Sequence, residues 1–328
     1  MRIVVALGGN ALLRRGEHPS VEAQRENVRR AAAQLAEIAS GNSLVIVHGN
    51  GPQVGLLASQ GMSMPEDERF PLDVLDAETE GLVGYLLELE LRNSLLGQRV
   101  CTSMLTMVEV NPDDPAFALP DKPIGAMYSQ ADANTATREK GWTMALDGPA
   151  YRRVVASPKP VRILQIQPVR WLLAHGSIVI CAGGGGIPVV AGTSGSYRGV
   201  EAVIDKDRSA ALLAREIEAD LFVIATDVGG LYLDWGTVSQ RPVRRASPDA
   251  LGKLGFAAGS MGPKVEAACE FAIRTRNRAV IGSLDDIGKM VAGTAGTAGT
   301  SILLGQAQIE EGPGDIDVRS NESPEPIT

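Results

Sequence analysis

The stretch IVVALGGN, residues 3–10, is where the fold first becomes predictable. Its apolar part, residues 3–7, has the length and the β-branched content of a strand that is buried on both faces. The turn Gly8-Gly9-Asn10 follows at once, and glycine permits the sharp changes of chain direction that side chains resist. We therefore predict a buried strand at residues 3–7 with a glycine turn at its carboxyl end.

Strands and helices alternate along the rest of the chain. Further short apolar runs predict strands at residues 44–47, 178–181, 221–225 and 279–281. Apolar residues at helical spacing predict helices at residues 28–38, 71–96, 208–217 and 264–275, with Leu82, Leu86 and Leu89 on one face of the second. This alternation is typical of an α/β fold with a mostly parallel sheet that helices cover on both faces.

The composition excludes several classes of function. A net charge of -8 and an aromatic content of 4% disfavour a nucleic-acid-binding surface, although a local basic pocket for a small anion remains compatible with them. Cys101, Cys181 and Cys269 are far apart and have no companion histidine cluster, which indicates reduced thiols of a cytoplasmic protein. No apolar run approaches the roughly 20 residues of a membrane span. We expect a cytoplasmic protein that binds neither nucleic acid nor membrane.

Two regions depart from the alternating pattern. Residues 111–160 contain seven prolines and no long apolar period, which predicts either an excursion from the sheet or a long surface loop. Residues 306–328 are polar, acidic and proline-bearing, which predicts a disordered tail. The 328 residues could form one large domain or two modest ones, and we predict a single domain over residues 1–305 with a small subdomain at about 111–160.

Glycine-rich turns are the first candidates for a ligand site. They occupy residues 8–10, 49–51, 183–186 and 259–262, and we expect each to follow a strand. Loops at the carboxyl ends of parallel strands converge on one crevice, so three of these turns are expected to face the same ligand. Glycine lets backbone N–H groups approach an anion closely. A single such turn is more often only a turn, but four together predict a cradle for phosphate or carboxylate.

Two common nucleotide-binding motifs do not fit. The stretch Gly259-Ser-Met-Gly-Pro-Lys264 has neither the spacing nor the final hydroxyl of GxxxxGK[ST]. The glycine run 183–186 is followed by Pro188 and two valines, which disfavour the helix that a GxGxxG motif opens. A P-loop kinase and a Rossmann dehydrogenase are therefore both disfavoured.

Lysine is rare in this sequence, with only seven among 31 basic residues. Lys122, Lys206 and Lys264 nevertheless each lie in a motif of Pro, Gly or Asp. A compact ammonium group is suited to neutralise a transferring phosphoryl group. Any one of these lysines alone could be a solvated surface residue, but together with the glycine turns they favour a phosphate site.

The stretch Ile204-Asp205-Lys206-Asp207-Arg208 opens a predicted helix. Its two carboxylates could simply complement the helix dipole. Alternatively, one of them lies between the lysines and orients their ammonium groups toward phosphate, or binds Mg²⁺, and we favour this second interpretation. No general base is evident, since His48 adjoins a glycine turn but is more often a strand-end residue. Phosphoryl transfer to an anionic nucleophile requires positioning and charge neutralisation more than a base.

Taken in order, the motifs resemble those of the carbamate kinases, a family of amino acid kinases. They are VVALGGNALL (4–13), VHGNGPQVG (47–55), DKPIG (121–125), RRVVASPKP (152–160), GGGGIPVV (183–190), GVEAVIDKD (199–207) and GSMGPKVEAA (259–268). The likeness spans about residues 1–304. Ala6 stands where most other amino acid kinases have a catalytic lysine, and carbamate kinases likewise lack it.

The resemblance implies a three-layer α/β/α sandwich around a mostly parallel sheet, with a small protruding subdomain. It implies reversible phosphoryl transfer between ATP and carbamate, with Mg²⁺ on the nucleotide, in the physiological direction of ATP synthesis from ADP and carbamoyl phosphate. It also implies a homodimer. The alternatives are a related acylphosphate-forming kinase that acts on another small carboxylate and a nucleotide-binding relative without turnover.

The resemblance also assigns roles to individual residues. Lys122 would reach toward carbamoyl phosphate from the subdomain, Lys206 and Lys264 would neutralise the phosphates, and Asp207 would orient those two lysines. The substrate and phosphate site would comprise Gly8, Gly9, Asn10, Gly49, Asn50, Gly51, Gly183 and Gly184, with residues 49–51 and 183–184 acting through backbone amides. The nucleotide site would comprise Thr226, Asp227, Val228, Met261 and Lys264, with residues 226–228 beside the adenine.

Three departures from the family pattern leave room for an altered acceptor. Glu80 stands where the family usually has Gln, near the expected crevice or dimer face. Gly229-Gly230 replaces an Asp-Tyr-like pair beside the adenine position, and Ala126-Met127 replaces the usual Pro-Phe after the DKPIG motif.

Overall fold

The computed structural model describes residues 1–9, 20–256, 261–293, 298–306 and 308–312 of the chain. Its strands are β1 (Arg2–Leu7), β2 (Ser43–His48), β3 (Cys101–Ser103), β4 (Met107–Val110), β5 (Lys122–Tyr128), β6 (Met144–Asp147), β7 (Ala150–Val155), β8 (Pro160–Ile163), β9 (Ile178–Ile180), β10 (Ile187–Ala191), β11 (Tyr197–Gly199), β12 (Leu221–Thr226), β13 (Leu231–Leu233), β14 (Arg241–Ala246), β15 (Arg278–Ser283), β16 (Thr300–Ile302) and β17 (Ile309–Glu311). Its α-helices are α1 (Val21–Ala39), α2 (Gly51–Gly61), α3 (Leu72–Ser94), α4 (Gln130–Lys140), α5 (Ile166–Ala174), α6 (Lys206–Glu216), α7 (Pro248–Leu251), α8 (Met261–Thr275) and α9 (Ile287–Ala292).

The largest sheet has ten strands, in the order β13, β14, β16, β15, β12, β1, β2, β9 and β3, with β17 paired to β14. The neighbouring strands from β15 to β3 are all parallel. β1 lies among them, paired with β12 on one side and β2 on the other. Residues 3–7 are completely buried, which explains why they form a continuous apolar run rather than an alternating one.

Alternate residues of β1 enter different hydrophobic cores, because successive side chains of a strand point to opposite faces of the sheet. Val4 shares one buried cluster with Leu213 of α6 and Phe271 of α8. Val5 shares the other buried cluster with Leu35 of α1. Helices therefore cover both faces, and the predicted three-layer α/β/α sandwich around a mostly parallel sheet is confirmed.

The leucines predicted to share one face of α3 are only partly buried. Val83, Leu87 and Leu91 recur every fourth residue and are buried in the core cluster that α1 shares with β1. Leu86 is buried in the same cluster, whereas Leu82 is 44% exposed. The periodicity alone does not show which apolar residues face the sheet, because apolar residues lie on more than one side of this helix.

The segment at 111–160 is structured. β5, β7 and β6 form an antiparallel three-stranded sheet of their own, and α4 follows β5 in the chain. Within the described residues, no strand of this small sheet pairs with the ten-stranded sheet. This arrangement agrees with an excursion from the sheet rather than a long loop, whereas its boundaries as a subdomain stay a prediction.

The end of the chain contains one element that the composition did not predict. Residues 309–311 form β17, which pairs antiparallel with β14, and Glu311 accepts a hydrogen bond from Arg241 at 2.7 Å. The expectation of disorder from residue 306 onward is therefore wrong for this segment, because strand pairing supplies order that composition alone does not indicate. Residues 313–328 of the predicted tail lie outside the described residues.

Within the described ranges, none of the helices combines the length and the apolar content that a membrane crossing requires.

Candidate active site

Loops from four neighbouring strands meet at the carboxyl edge of the sheet, after β12, β1, β2 and β9. The Gly8 N–H donates a hydrogen bond to the end of β12 at 2.9 Å. A Cβ atom added to Gly49 would lie 2.8 Å from the Gly9 nitrogen, and one added to Gly184 would lie 2.2 Å from Asn50 Nδ2. Side chains at these positions would force the loops apart, so the glycines permit one continuous surface at this edge.

The order in which the chain adds strands to the sheet reverses at β1. The connection that leaves β1 leads to β2 on one side, whereas β12 and β15 later fill the other side. In open parallel sheets, ligands bind outside the carboxyl ends of the strands at such a reversal. The loops at residues 8–9 and 226–228 lie at this point, so the topology itself marks the position of a ligand crevice.

Lys206 and Lys264 share one buried carboxylate. Lys206 Nζ lies 2.5 Å from Asp207 Oδ1, and Lys264 Nζ lies 3.2 Å from Asp207 Oδ2. The Asp207 side chain is 4% exposed, and the two lysine side chains are 10% and 16% exposed. One carboxylate offsets only one of two ammonium charges, and with so little water the excess positive charge attracts an anion strongly.

The ionisation of Lys206 reflects this balance. Burial lowers the pKa of its ammonium group, the adjacent Asp207 carboxylate opposes that effect, and the nearby Lys264 charge adds to it. A further negative charge, such as a phosphate, would stabilise the protonated form of Lys206.

Lys122 reaches the same region from the small sheet. Its Nζ atom at the start of β5 lies 2.7 Å from Asp205 Oδ2. Asp205 is also the N-cap of α6, because its Oδ1 accepts hydrogen bonds from the Asp207 and Arg208 N–H groups at 2.9 and 3.3 Å. Burial alone would raise the pKa of Asp205, but Lys122, Lys206 and these amides hold it well below its usual range.

The two acidic residues of the predicted motif therefore differ in what they contact. Asp205 caps the helix and meets Lys122, while Asp207 lies between Lys206 and Lys264. Asp205 fits the interpretation that a carboxylate complements the start of the helix, and Asp207 fits the interpretation that a carboxylate lies between the lysines. Lys122 and Lys264, which are distant in the sequence, thus meet Lys206 at the start of α6.

Two glycines that were expected to offer their amides to a ligand use them within the chain. The Gly49 N–H donates to the Leu7 carbonyl oxygen at 3.0 Å, which extends the pairing of β1 with β2. The Gly183 N–H donates to Glu80 Oε1 at 2.9 Å. For these two positions the expectation of a direct amide contact needs correction, because each N–H already has a buried partner and would lose it to bind a ligand.

Other predicted positions keep their amides available. Among the described residues, the Gly184 N–H has no hydrogen-bond acceptor, and Gly184 has a left-handed φ of +70° that suits glycine. Gly51 begins α2, and Asn50 before it makes no side-chain bond to cap that helix. The Gly51 amide at the start of α2 and the Gly184 amide are therefore donors that an anion can use, whereas Pro52 has no N–H to donate. Asn10, which was also predicted to bind substrate, lies outside the described residues.

The Asn50 side chain points toward the buried side of α3. Its Nδ2 donates to Asp76 Oδ1 at 3.2 Å and to Thr79 Oγ1 at 2.8 Å, both on α3. Asp76 and Thr79 were assigned no role from the sequence. A signal for them exists, since polar residues at i, i+3 and i+4 (Asp76, Thr79 and Glu80) lie on the buried side of α3, where most other residues are apolar.

Glu80 accepts a hydrogen bond from the loop at residues 182–186, hereafter called the glycine loop. Besides Gly183, its other oxygen Oε2 accepts the Thr106 N–H at 3.0 Å, and Thr106 Oγ1 accepts the Ala182 N–H at 2.9 Å. Burial raises the pKa of Glu80 to about 8, although the amide donors oppose this effect. No feature of the sequence could have identified Thr106, because it is a single threonine between two strands and its partners are distant along the chain.

His48 does not supply a general base. It is completely buried at the end of β2, and burial lowers its pKa to about 4, so the ring is neutral near pH 7. Its Nδ1 lies 3.2 Å from the Gly49 carbonyl oxygen, which assigns the ring proton to that nitrogen. This geometry supports the interpretation of His48 as a structural residue at a strand end.

The residues predicted to bind a nucleotide lie on the other side of β1. Thr226 ends β12, and its Oγ1 donates to Asp227 Oδ1 at 3.0 Å, while Val228 follows in the same loop. Met261 begins α8, the helix that carries Lys264. The glycine turn at 259–262 was expected to follow a strand, but among the described elements the one that precedes it is α7. Its first two residues lie outside the described part of the chain.

This arrangement is suited to bind phosphate and to transfer it. Excess ammonium charge, free backbone amides and a helix start converge on one edge, and they are the groups that stabilise a phosphoryl transition state. Within the described residues the site contains no histidine able to act as a base near pH 7. The geometry therefore fits a reaction whose nucleophile is already anionic.

Comparison with known proteins identifies the same architecture in enzymes. A model of the amino acid kinase family matches residues 1–283. The chain is 56% identical to a carbamate kinase of Haemophilus influenzae over 297 residues, which is 90% of this chain and 96% of that protein. It is 51% identical to a carbamate kinase of Rhizobium meliloti, covering 90% and 92% of the two chains. Among solved structures, carbamate kinase from Giardia lamblia bound to AMP-PNP superposes with a TM-score of 0.83 at 34% identity, covering 92% of this chain and 98% of the other.

Proposed function

The chain belongs to the amino acid kinase family and, within it, to the carbamate kinases, and from this premise we propose how its site carries out phosphoryl transfer between ADP and carbamoyl phosphate. The observation that carries the proposal is the pair of buried lysines on Asp207 beside the glycine loops. Two ammonium groups at one carboxylate provide the fixed positive charge that a transferring phosphoryl group needs.

In the direction of ATP synthesis, a terminal phosphate oxygen of ADP attacks the phosphorus of carbamoyl phosphate. A new P–O bond to ADP forms while the P–O bond to the carbamoyl group breaks, and carbamate leaves as an anion. Lys206 and Lys264 neutralise the charge on the non-bridging oxygens, and the Gly184 amide donates to the same group. Asp207 keeps both ammonium groups aimed at one point, and Lys122 contacts the carbamoyl phosphate end. Because nucleophile and leaving group are both anions, the site needs no general base.

The nucleotide is proposed to lie on the side of β1 that carries residues 226–228 and Met261. This placement is supported by the reversal of the chain between β1 and β12. The Giardia relative, which is bound to AMP-PNP, supports nucleotide binding as such. Lys264 lies between the two halves of the site and would contact the phosphates that pass from one to the other.

Mg²⁺ is proposed to enter with the nucleotide. No cluster of three or more metal-ligating side chains occurs within the described ranges, and both oxygens of Asp207 are engaged by lysines. Phosphate oxygens and water are ligands that Mg²⁺ prefers, so the ion fits on the nucleotide without a protein cage. Bound there, it would supply additional charge neutralisation on the phosphates.

A homodimer is also proposed, with the outer side of α3 as its interface. Leu82 and Tyr85 of α3 and Leu105 nearby are 44%, 55% and 51% exposed, and a cavity of 360 Å³ is lined in part by Tyr85 and Leu105. Adjacent exposed apolar side chains are typical of an interface. Tyr85→Glu should convert the dimer to a monomer in sedimentation, and a wild-type monomer would contradict the proposal. The cytoplasmic location stays a prediction.

A coupled assay tests the catalytic proposal. Purified protein with ADP, Mg²⁺ and carbamoyl phosphate should form ATP, and Lys264→Ala should lower kcat by at least about a hundredfold. Lys289→Ala is the matched control, because that lysine is 65% exposed and pairs with Asp286 on the surface. Folded wild-type protein that forms no ATP would contradict the proposal, and ATP formation from other acylphosphates only would indicate a different acceptor.

A further inference from the structure

Glu80 clamps the glycine loop to its surroundings with both carboxyl oxygens. Oε1 accepts the Gly183 N–H at 2.9 Å and Oε2 accepts the Thr106 N–H at 3.0 Å. The Glu80 residue is 2% exposed, and a Cβ added to Gly183 would lie 3.0 Å from its Cγ atom. The carboxyl group therefore lies directly beneath the loop, in contact with the peptide that precedes the free Gly184 amide.

The loop needs this support because its backbone is unusual. Ala182 has a φ of +52°, and residues 184–186 have φ values of +70°, +108° and +84°. The left-handed region is unfavourable for alanine, and glycines lose much conformational freedom when they are fixed. Hydrogen bonds from outside the loop hold it in this shape, and Glu80 and Thr106 provide them.

The groups that face Glu80 are buried and titratable as well. Burial lowers the pKa of His48 at the end of β2 to about 4, so its ring is neutral near pH 7, and the Lys206 charge adds to this effect. Burial raises the pKa values of the Asp76 carboxyl on α3 and of the Cys181 thiol after β9. For Glu80, burial raises the pKa to about 8, within the range in which enzymes are assayed.

We propose that Glu80 is a positioning residue for this site and that its charge state sets how strongly the glycine loop attracts an anion. The inference rests on the proposed function, since carbamoyl phosphate is the anion concerned. A neutral carboxyl holds the loop and leaves the positive field of the lysines intact. An ionised carboxylate still holds the loop, but it places a negative charge beneath the amide that meets the substrate. Because linkage is reciprocal, a bound anion also holds the proton on Glu80.

The test compares wild-type protein with Glu80→Gln and Glu90→Gln. Glutamine has the shape of glutamate but never ionises, so it removes the titration. It can accept one of the two N–H groups, since its NH2 group cannot accept the other, so the test compares the pH dependence of each protein rather than its absolute affinity. Glu90 is a matched control, because it is also buried on α3, at 7% exposed, but contacts Asn93 and Arg29 instead of the loop. The affinity for carbamoyl phosphate is measured by calorimetry at pH 6.5, 8 and 9.5, with proton uptake obtained from buffers of different ionisation enthalpy. If bound carbamoyl phosphate raises the pKa of Glu80 by about one unit, the affinity of the wild type and of Glu90→Gln should fall about tenfold between pH 6.5 and 9.5. Both proteins should take up protons when they bind carbamoyl phosphate at pH 8.

In Glu80→Gln the alkaline loss and the proton uptake should both disappear. An alkaline loss of the same size in Glu80→Gln would overturn the proposal and assign the effect to another titrating group, such as Lys206 or Asp76. Affinity of the wild type that does not change with pH would also overturn it, while leaving the proposed function intact. Absence of carbamoyl phosphate binding by wild-type protein at every pH would instead reject the proposed function, and the Glu80 proposal with it.

Discussion

Replacement of Asp207 by asparagine tests the lysine cluster most severely. The carboxylate is 4% exposed and holds two ammonium groups at 2.5 and 3.2 Å. An amide of the same shape keeps the packing but removes the negative charge that the two ammonium groups share. Removal of one partner from a buried ion pair costs about 3–5 kcal/mol, so the free energy of unfolding should fall by that amount.

The activity of Asp207→Asn should fall as well, because the ammonium groups repel each other and leave the geometry that phosphoryl transfer requires. A displacement of about 1 Å at a reacting group costs about a hundredfold in rate, and we expect kcat in the ATP-forming assay to fall by at least that factor. Urea unfolding measures the stability and the coupled assay measures the rate. Asp286→Asn serves as the control, because Asp286 pairs with the exposed Lys289 at 2.7 Å and should leave both values unchanged.

The variant should also acquire a distinctive pH dependence. Burial already lowers the pKa of Lys206, and loss of Asp207 removes the attraction that opposes this effect. Between the lowered pKa in the folded protein and 10.5 in the unfolded chain, the unfolded state binds more protons, so the free energy of unfolding of Asp207→Asn should rise with pH. A loss of stability below about 1 kcal/mol together with an unchanged kcat would refute the account of a shared buried carboxylate.

Three further predictions concern the rest of the site. Gly184→Ala should lower kcat/KM in the ATP-forming assay by at least about tenfold, since its Cβ would lie 2.2 Å from Asn50 Nδ2. Gly41→Ala is the control: Gly41 also has a positive φ, +72°, but a Cβ there meets open space, so this variant should be fully active, and equal activities of the two variants would contradict the prediction. Lys122→Ala should lower kcat/KM for carbamoyl phosphate by about tenfold or more, and an unchanged kcat/KM would argue against its substrate contact. Urea unfolding should also show a lower stability, because the Asp205 carboxylate is 10% exposed and loses its ammonium partner at 2.7 Å. The pKa of Glu80 rises from 4.5 to about 8 on folding, so between these values the folded state keeps the proton and the unfolded state loses it. The free energy of unfolding should therefore fall as pH rises through that window, by at most about 5 kcal/mol. Glu80→Gln should remove this slope, and an unchanged slope would contradict the assignment.

The sequence was sufficient for the parts of the fold that depend on local pattern. The run at residues 3–7 is apolar at every position because β1 is buried on both faces, and a strand of that kind has a clear signature. The motif at 204–208 likewise places Asp207 beside Lys206 without any long-range information, and the rarity of lysine singled out Lys264 before the family resemblance assigned its role.

The sequence was insufficient where the outcome depends on how distant elements pack. Glu80 meets the glycine loop because α3 packs beneath it, a contact between residues 103 positions apart in the case of Gly183. Thr106 meets the same loop from the connection between β3 and β4. The order of β17 depends on an available edge at β14, which the composition of the tail cannot reveal. The exposure of Leu82 follows from which side of α3 the sheet covers, since apolar residues lie on more than one side.

A crystal structure with ADP and carbamoyl phosphate bound would test the central claim most directly. The account predicts that the Nζ atoms of Lys206 and Lys264 each lie about 3 Å from oxygens of the transferring phosphoryl group, with the Gly184 N–H directed at the same group. A phosphoryl group bound elsewhere, with both lysines still turned to Asp207 and without contact to the ligand, would contradict it.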